Sequence, residues 1–433
     1  MCRILLTLVF VCVNSLTLQA QDTLHLSLQE AVDLSLSENR NIKISQLEVQ
    51  RAESSLRESR GNLLPRVEAS GNYNHNILRP VIFLPPGSPL GEVLRLGAAH
   101  SFNGTLAGSV PIYSGQIFPS IRLAETSLQV SRESLRESKV NTVGDVKVNY
   151  YSALLAHESL QVMEVTFRNA EENHQLIRRQ YNEGIVSEYE LIRSEVQMQS
   201  ILPSVEQATD NMKLTLDRLK LSIGLSPLQP IVLTDSLMLR RLEEEPEIAL
   251  EENPSVRTVR YQDVMADQQV TLAQSARHPT LSAFGNYQAQ SQAEDFRFGD
   301  YNWVNTSIVG LQVSMPIFNG FMTNQRIEQA RIGKLQLEHQ KVLVEDAVRM
   351  QTENQIFLMR QAYSRYMAQQ NSVQLAERGL RIAQTRYASG ISTLVELNDA
   401  ELALTQAKLN YLQAIYDYNI AYAEYERLSG TNN

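Results

Sequence analysis

Along the last part of the chain, Leu397, Ala400, Leu404, Ala407, Tyr411, Ala414, Tyr418, Ala421, Tyr425 and Leu428 recur at unbroken intervals of three and four. This is the seam of a coiled coil. Large and small side chains alternate strictly, so each large one can lie over an alanine of a neighbouring rod at close helix spacing. An earlier stretch has the same register: Leu191, Ser194, Met198, Ile201, Val205, Ala208, Met212, Thr215, Leu219 and Ser222, in which only Ile201 is clearly oversized. These seams predict helices over about 189–222 and 394–428. Residues 117–182 and 321–387, poor in Gly and Pro, predict two much longer helices. Roughly 66 residues rising 1.5 Å each make a rod of about 100 Å, too long to bury its apolar stripe inside one compact domain. It must pack along other rods. Pro203 stands where the later helix has Leu409, and predicts a kink or break near Ile201–Pro203.

A different period governs four other stretches. In 66–78, Val67, Ala69, Gly71, Tyr73 and Ile77 share one face, opposite Glu68, Ser70, Asn72, Asn74 and Asn76. In 101–111, Phe102, Leu106 and Val110 alternate with Ser101, Asn103, Thr105 and Ser109. In 280–291, Leu281, Ala283, Gly285 and Tyr287 oppose Ser282, Asn286, Gln288 and Gln290; in 302–315, Val309, Leu311 and Val313 share a face, with Trp303 at the start. Such alternation fits a half-buried sheet on a soluble core. It equally fits barrel strands with lipid outside and water inside, and the Asn/Gln/Ser-rich polar faces suit the latter. The long rods favour the barrel.

The chain is also written twice. Leu64-Pro65-Arg66-Val67-Glu68-Ala69-Ser70-Gly71-Asn72-Tyr73 returns as His278-Pro279-Thr280-Leu281-Ser282-Ala283-Phe284-Gly285-Asn286-Tyr287. Val110-Pro111-Ile112-Tyr113-Ser114-Gly115 returns as Met315-Pro316-Ile317-Phe318-Asn319-Gly320, and Tyr181-Asn182-Glu183-Gly184-Ile185 as Tyr387-Ala388-Ser389-Gly390-Ile391. Glu38-Asn39 and Ile42 match Glu252-Asn253 and Val256. Blocks repeated in the same order indicate a tandem duplication, with a first repeat over 21–235, a second over 236–433, and the split near Glu243-Glu244-Glu245-Pro246-Glu247. Each repeat opens with a moderate helix, around 28–60 and 255–277.

Residues 1–20 read as a secretory signal: Arg3, an apolar run from Ile4 to Val13, then small and polar residues up to a cleavage site after Ala20. Its removal takes away both cysteines, Cys2 and Cys12, which excludes disulfide and thiol chemistry afterwards. Phe10-Val11 before Cys12 lacks the small residues of a lipidation signal. Beyond residue 20 no apolar run is long enough for a membrane-spanning helix. A net charge of −9 with both signs interspersed gives no nucleic-acid footprint. The seven His are scattered, no catalytic or phosphate-binding motif is present, and no cofactor is implied. The chain is not read as an enzyme.

Taken together, the duplicated Pro-x-x-x-x-x-Gly-x-Tyr strand entry, the Pro-Ile-Tyr/Phe-x-Gly strand exit and the Tyr-x-x-Gly-x-x-Ser/Thr helix turn resemble the TolC family of outer-membrane efflux proteins over nearly the whole chain. The resemblance implies a mainly α protein with a transmembrane β-barrel. Three chains would each supply four strands to a twelve-stranded barrel and four rods to an α-helical tunnel across the periplasm. It further implies an exit duct for substrates delivered by an inner-membrane transporter through a periplasmic adaptor. Glu396 and Asp399 then fall in the acidic ring of the periplasmic gate, with Glu190, Tyr181 and Tyr387 beside it. The family prototype has an Arg where this chain has Ser392. The turns at Gly184-Ile185 and Gly390-Ile391 fall at the tips where adaptor hairpins dock. The alternative is a periplasmic coiled-coil scaffold without a pore, which explains the rods but not the duplicated strands.

Overall fold

The computed structural model describes residues 23–240, 248 and 250–430. The signal segment and the acidic stretch 243–247 lie outside the described residues. In chain order the elements are β1 (Leu24–Leu26), α1 (Leu28–Glu38), α2 (Arg40–Gly61), β2 (Arg66–His75), β3 (Val81–Phe83), β4 (Val93–Arg95), β5 (His100–Ser114), α3 (Ile117–Asn182), α4 (Glu188–Ile223), β6 (Ile231–Leu233), α5 (Pro254–Ser275), β7 (Thr280–Ala293), β8 (Val304–Ser314), α6 (Met322–Ala388) and α7 (Leu394–Ser429). Helix α4 folds back along α3 and α7 along α6, while α5 lies against both α3 and α6.

The four long strands form one antiparallel sheet in the order β2-β5-β7-β8. Its register joins the alternating faces into one. Ala69 pairs with Leu106, Leu106 with Tyr287, Ala283 with Leu311 and Leu281 with Val313, so a continuous apolar belt crosses all four strands. On the reverse, Asn72 pairs with Asn103, Thr105 with Gln288 and Ser282 with Gln312. Among the described residues, strands β2 and β8 each have one neighbour, and along β2 every residue is exposed. Strand β2 stops at His75, so Ile77 belongs to a ribbon beyond the sheet and not to the belt.

The expected single helix over 28–60 is two helices, because Asn39 leaves the helical region (φ −61°, ψ 129°) and caps a new one. Its Oδ1 accepts from the backbone N–H of Asn41 and Ile42, while its Nδ2 donates to the Ser222 carbonyl at 2.7 Å. That carbonyl belongs to the last turn of α4. Gly224, at φ 98°, ends α4 against the Glu38 backbone, where a Cβ would come within 2.8 Å of the Glu38 oxygen. Helices α4 and α2 therefore meet end to end as one composite rod beside α3. The second half repeats the joint. Asn253 caps α5 and donates to the Leu428 carbonyl at 2.7 Å, and Gly430, at φ 69°, ends α7 against Glu252. The electropositive start of one helix faces the electronegative end of another at both joints. Glu38-Asn39 and Glu252-Asn253, first noticed as a repeat, are its fasteners.

The main core surrounds the first joint. Val146, Tyr150 and Leu154 of α3, Leu219 and Ile223 of α4, Leu26 and Ile231 of the parallel β1–β6 pair, and Ile415 of α7 pack together. Tyr150 is fully buried, and its hydroxyl lies 2.8 Å from the Asp235 carboxylate, which also accepts from the Leu28 N–H. Both 3-4 seams are buried or half-buried, as close rod packing requires. Helix α4 runs unbroken from Glu188 to Ile223, so the expected break at Pro203 does not occur. Pro203 is exposed, off the seam, where water can satisfy the carbonyl that loses its partner.

Replacing Asn39 or Asn253 by Ala should cost about 1–2 kcal/mol each, because two N-cap bonds and a carbonyl partner vanish together. The thermal midpoint of helical circular dichroism should fall for each variant and further for the pair. Unchanged midpoints would show that the rods stack without these fasteners.

Candidate functional site

The ends of the two helical hairpins farthest from the sheet hold all the candidate residues. Each long helix stops on a glycine in the left-handed region, Gly184 (φ 76°) and Gly390 (φ 71°). The following N–H reaches back to a carbonyl of the last turn, from Ile185 to Gln180 at 2.8 Å and from Ile391 to Arg386 at 2.9 Å. Glycine adopts this conformation without the Cβ clash that other residues meet. Ile185 and Ile391 are left 66% and 70% exposed at the turns.

Each return helix starts on a hydroxyl cap. Ser187 accepts from the Glu190 N–H and Thr393 from the Glu396 N–H, both at 3.4 Å. Glu190 and Glu396 are thus equivalent residues in the first turns of α4 and α7, where a helix N-terminus favours negative charge. Sequence reasoning named both glutamates without their caps, although Ser-x-x-Glu and Thr-x-x-Glu announce them.

The two tips are held together by Ile177, Leu380, Leu394 and Leu397, against which Val186, Leu191 and Tyr387 pack. Burial raises the pKa of Tyr387, and the charge of Glu190 adds to the rise. Tyr181, its counterpart, is on the exposed side. Asp399 is exposed one turn beyond Glu396. The guanidinium nearest Glu396 belongs to Arg386, at 4.0 Å, while half-buried Ser392 donates its N–H to the Arg386 carbonyl. Cation contact at this tip therefore comes from residue 386 and not from 392.

Glu401 escaped sequence reasoning. It follows the seam residue Ala400 and precedes Leu404, a flanking position that faces the neighbouring rod. Asn173 of α3 donates to its carboxylate at 3.1 Å, and burial raises its pKa. A cavity beside it, of about 200 Å³, is lined among others by Glu158, Thr166, Thr405 and Lys408.

Comparison with known proteins shows what the chain as a whole is similar to. The family model described as outer membrane efflux protein matches residues 31–225 and 246–431. Alkaline protease secretion protein AprF of Pseudomonas aeruginosa is 24% identical over 387 residues, covering 86% of this chain and 77% of AprF. Outer membrane protein TolC of Escherichia coli K12 is 23% identical over 383 residues, covering 80% of this chain and 76% of TolC. The crystal structure of the Campylobacter jejuni CmeC outer membrane channel shares the fold with a TM-score of 0.78 at 19% identity, covering 93% of this chain and 85% of that one.

Glu401 supplies a pH test. Its folded pKa lies above the unfolded value, so the ionised form opposes folding. That penalty is absent below the unfolded pKa and grows as pH rises through the folded one. Glu401→Gln keeps the acceptor for Asn173 and should melt higher than the native protein at pH 7, with the gap closing near pH 4. A gap independent of pH would remove the buried-charge explanation.

Proposed function

The chain belongs to the TolC family of outer membrane efflux proteins and resides in the outer membrane, and from that premise we propose that three copies form one passive exit duct, a twelve-stranded barrel continued by a helical tunnel. The open edges of the sheet carry this reading. Four strands cannot close on themselves, and unpaired backbone groups in lipid cost several kcal/mol each. A belt exposing Val67, Leu106, Val309, Leu311 and Val313 suits lipid, and the Asn/Gln/Ser face suits a wet lumen. The rods support it too. Leu335, Val342, Met350 and Phe357 recur every seven or eight residues along α6 and are exposed in a single chain. Ile192, Val196, Leu214 and Leu221 are likewise uncovered on α4. Neighbouring chains would bury both stripes.

In this reading the paired tips form the periplasmic entrance. Glu396 and Asp399, with Glu190 beside Tyr387 and with Tyr181, ring the gate. Three chains bring several carboxylates together, which attracts cations and repels anions. Gly184-Ile185 and Gly390-Ile391 present apolar tips to a helical hairpin of a periplasmic adaptor, which couples the duct to an inner-membrane transporter. The tunnel performs no chemistry. The transporter supplies the work, and the polar lumen lets its substrate pass without tight binding.

The test joins structure and transport. The detergent-extracted protein should have the mass of a trimer and conduct as a cation-selective pore in planar bilayers. Replacing Glu396 and Asp399 by Ala should weaken cation preference without loss of trimer, since neither lies on the seam. Replacing Ile185 and Ile391 by Asp should leave the pore intact in bilayers yet stop export in cells. A stable, non-conducting monomer would return the chain to the scaffold reading. Unaltered selectivity would return the acidic pair to ordinary solvated surface, and normal export would remove the tips as the docking site.

A further inference from the structure

Beyond the sheet, the first hairpin continues outward as a two-stranded ribbon. Backbone bonds run from Asn76 to Ala99 (2.8 Å), Leu96 to Pro80 (2.9 Å) and Leu84 to Glu92 (2.9 Å), with Val81–Phe83 paired to Val93–Arg95 between them. Residues 77–96 hold only three charges, Arg79, Glu92 and Arg95. Both faces are apolar. Ile77, Leu78, Ile82, Phe83, Leu90 and Val93 are all exposed, Phe83 by 77%. A lone two-stranded ribbon is at best marginally stable in water, and a continuous apolar surface of this kind calls for a cover.

Three observations decide what covers it. The sheet ends in an aromatic collar. Phe296 lies 4.3 Å from the His100 ring and 6.0 Å from Tyr73, while Phe298 and Tyr301 each lie 5.4 Å from Phe102. Aromatic girdles mark the membrane–water interface, so the ribbon stands past it, in water. Second, Tyr73 and Phe102 are on the belt face, so segment 294–303 already occupies the outer side of the ribbon's base, and Glu294 ties it there through an ion pair with Arg79. At the same base, Gly97 abuts Gln292, on the polar face, with a Cβ position only 3.2 Å from the Gln292 Oε1. The open side is the lumen side. Third, the ribbon is long enough. Residues 76–84 extend about 30 Å, whereas twelve strands spaced about 4.8 Å apart and tilted about 40° enclose a radius of about 12 Å.

We infer that the ribbons of three chains fold across the barrel mouth and pack their apolar faces on one another, forming a hydrophobic constriction at the extracellular end. This rests on the trimeric duct proposed above, since β3 continues the edge of β2, to which the next chain must join. Such a constriction resists small ions by dewetting yet parts for a substrate pushed from below, because no covalent or ionic bond need break.

The experiment uses the full chain in outer-membrane vesicles, with Cys2 and Cys12 replaced by Ala. Phe83→Cys, and separately Leu90→Cys at the ribbon tip, are oxidised with copper phenanthroline. Covalent pairs of chains should form at a rate independent of protein concentration. Replacing 81–95 by a short Gly-Ser turn should raise bilayer conductance several-fold while native mass stays trimeric. If the trimer persists but neither cysteine links two chains, or the shortened pore conducts as before, the constriction is wrong and the duct stands. Cross-linking to a different polypeptide, or labelling of Phe83→Cys by a lipid-borne thiol reagent, would assign the ribbon another cover and overturn the inference. A monomeric native mass would remove both readings.

Discussion

A strand edge in lipid is the constraint on which this structure turns. Each of β2 and β8 directs a row of N–H and C=O groups away from the sheet, with no partner strand among the described residues. Water could satisfy those groups, but in the proposed duct the apolar belt that runs through the same strands puts them in hydrocarbon. Burial of the belt and satisfaction of the edge are compatible only if the edge meets another strand. In the proposed duct everything below the barrel inherits that solution. Chains closing a barrel side by side would bring their rods side by side, and the uncovered apolar stripes of α4 and α6 would then acquire neighbours.

The rods themselves meet a second constraint, that of length. A helix of 66 residues needs lateral support along its whole course. Neither α2 nor α4 is long enough to give it, and the chain solves this by abutting two helices end to end. Asn39 and Asn253 serve both partners of each joint: the side-chain oxygen starts one helix and the nitrogen terminates the other. The glycine that follows is required because the incoming backbone leaves no space for a Cβ. In this way one duplicated pair of residues converts four helices of ordinary length into two composite rods.

How much of this could be read from the sequence depended on whether an interaction leaves a period. The 3-4 seam of α7 and the two-residue alternation of the strands do, because each places one kind of side chain against one surface. The helical hairpins, the four strands and the ends at Gly184 and Gly390 were legible for that reason. The break at Asn39 was not, since an Asn within an apolar-periodic stretch has the same appearance whether it caps a new helix or faces solvent. Pro203 misled in the opposite direction: local chemistry predicted a break, but an exposed position on a rod fastened along its other face tolerates the lost bond. At the tips, Glu190 and Glu396 were named through the family resemblance alone, and their equivalence rests on the Ser187 and Thr393 caps. Glu401 was hidden because a carboxylate beside a seam differs from a surface one only through Asn173, more than two hundred residues away.

Amide hydrogen exchange of the detergent-solubilised protein tests the central claim most directly. In an isolated chain the outward amides of β2 and β8 have no strand partner among the described residues and should exchange rapidly, while those of β5 and β7 are protected on both sides. If the edges are joined between chains, β2 and β8 will be protected as strongly as β5 and β7, and the belt and the rods follow from that closure. Rapid exchange along β2 and β8 in the detergent-solubilised, folded protein would contradict it.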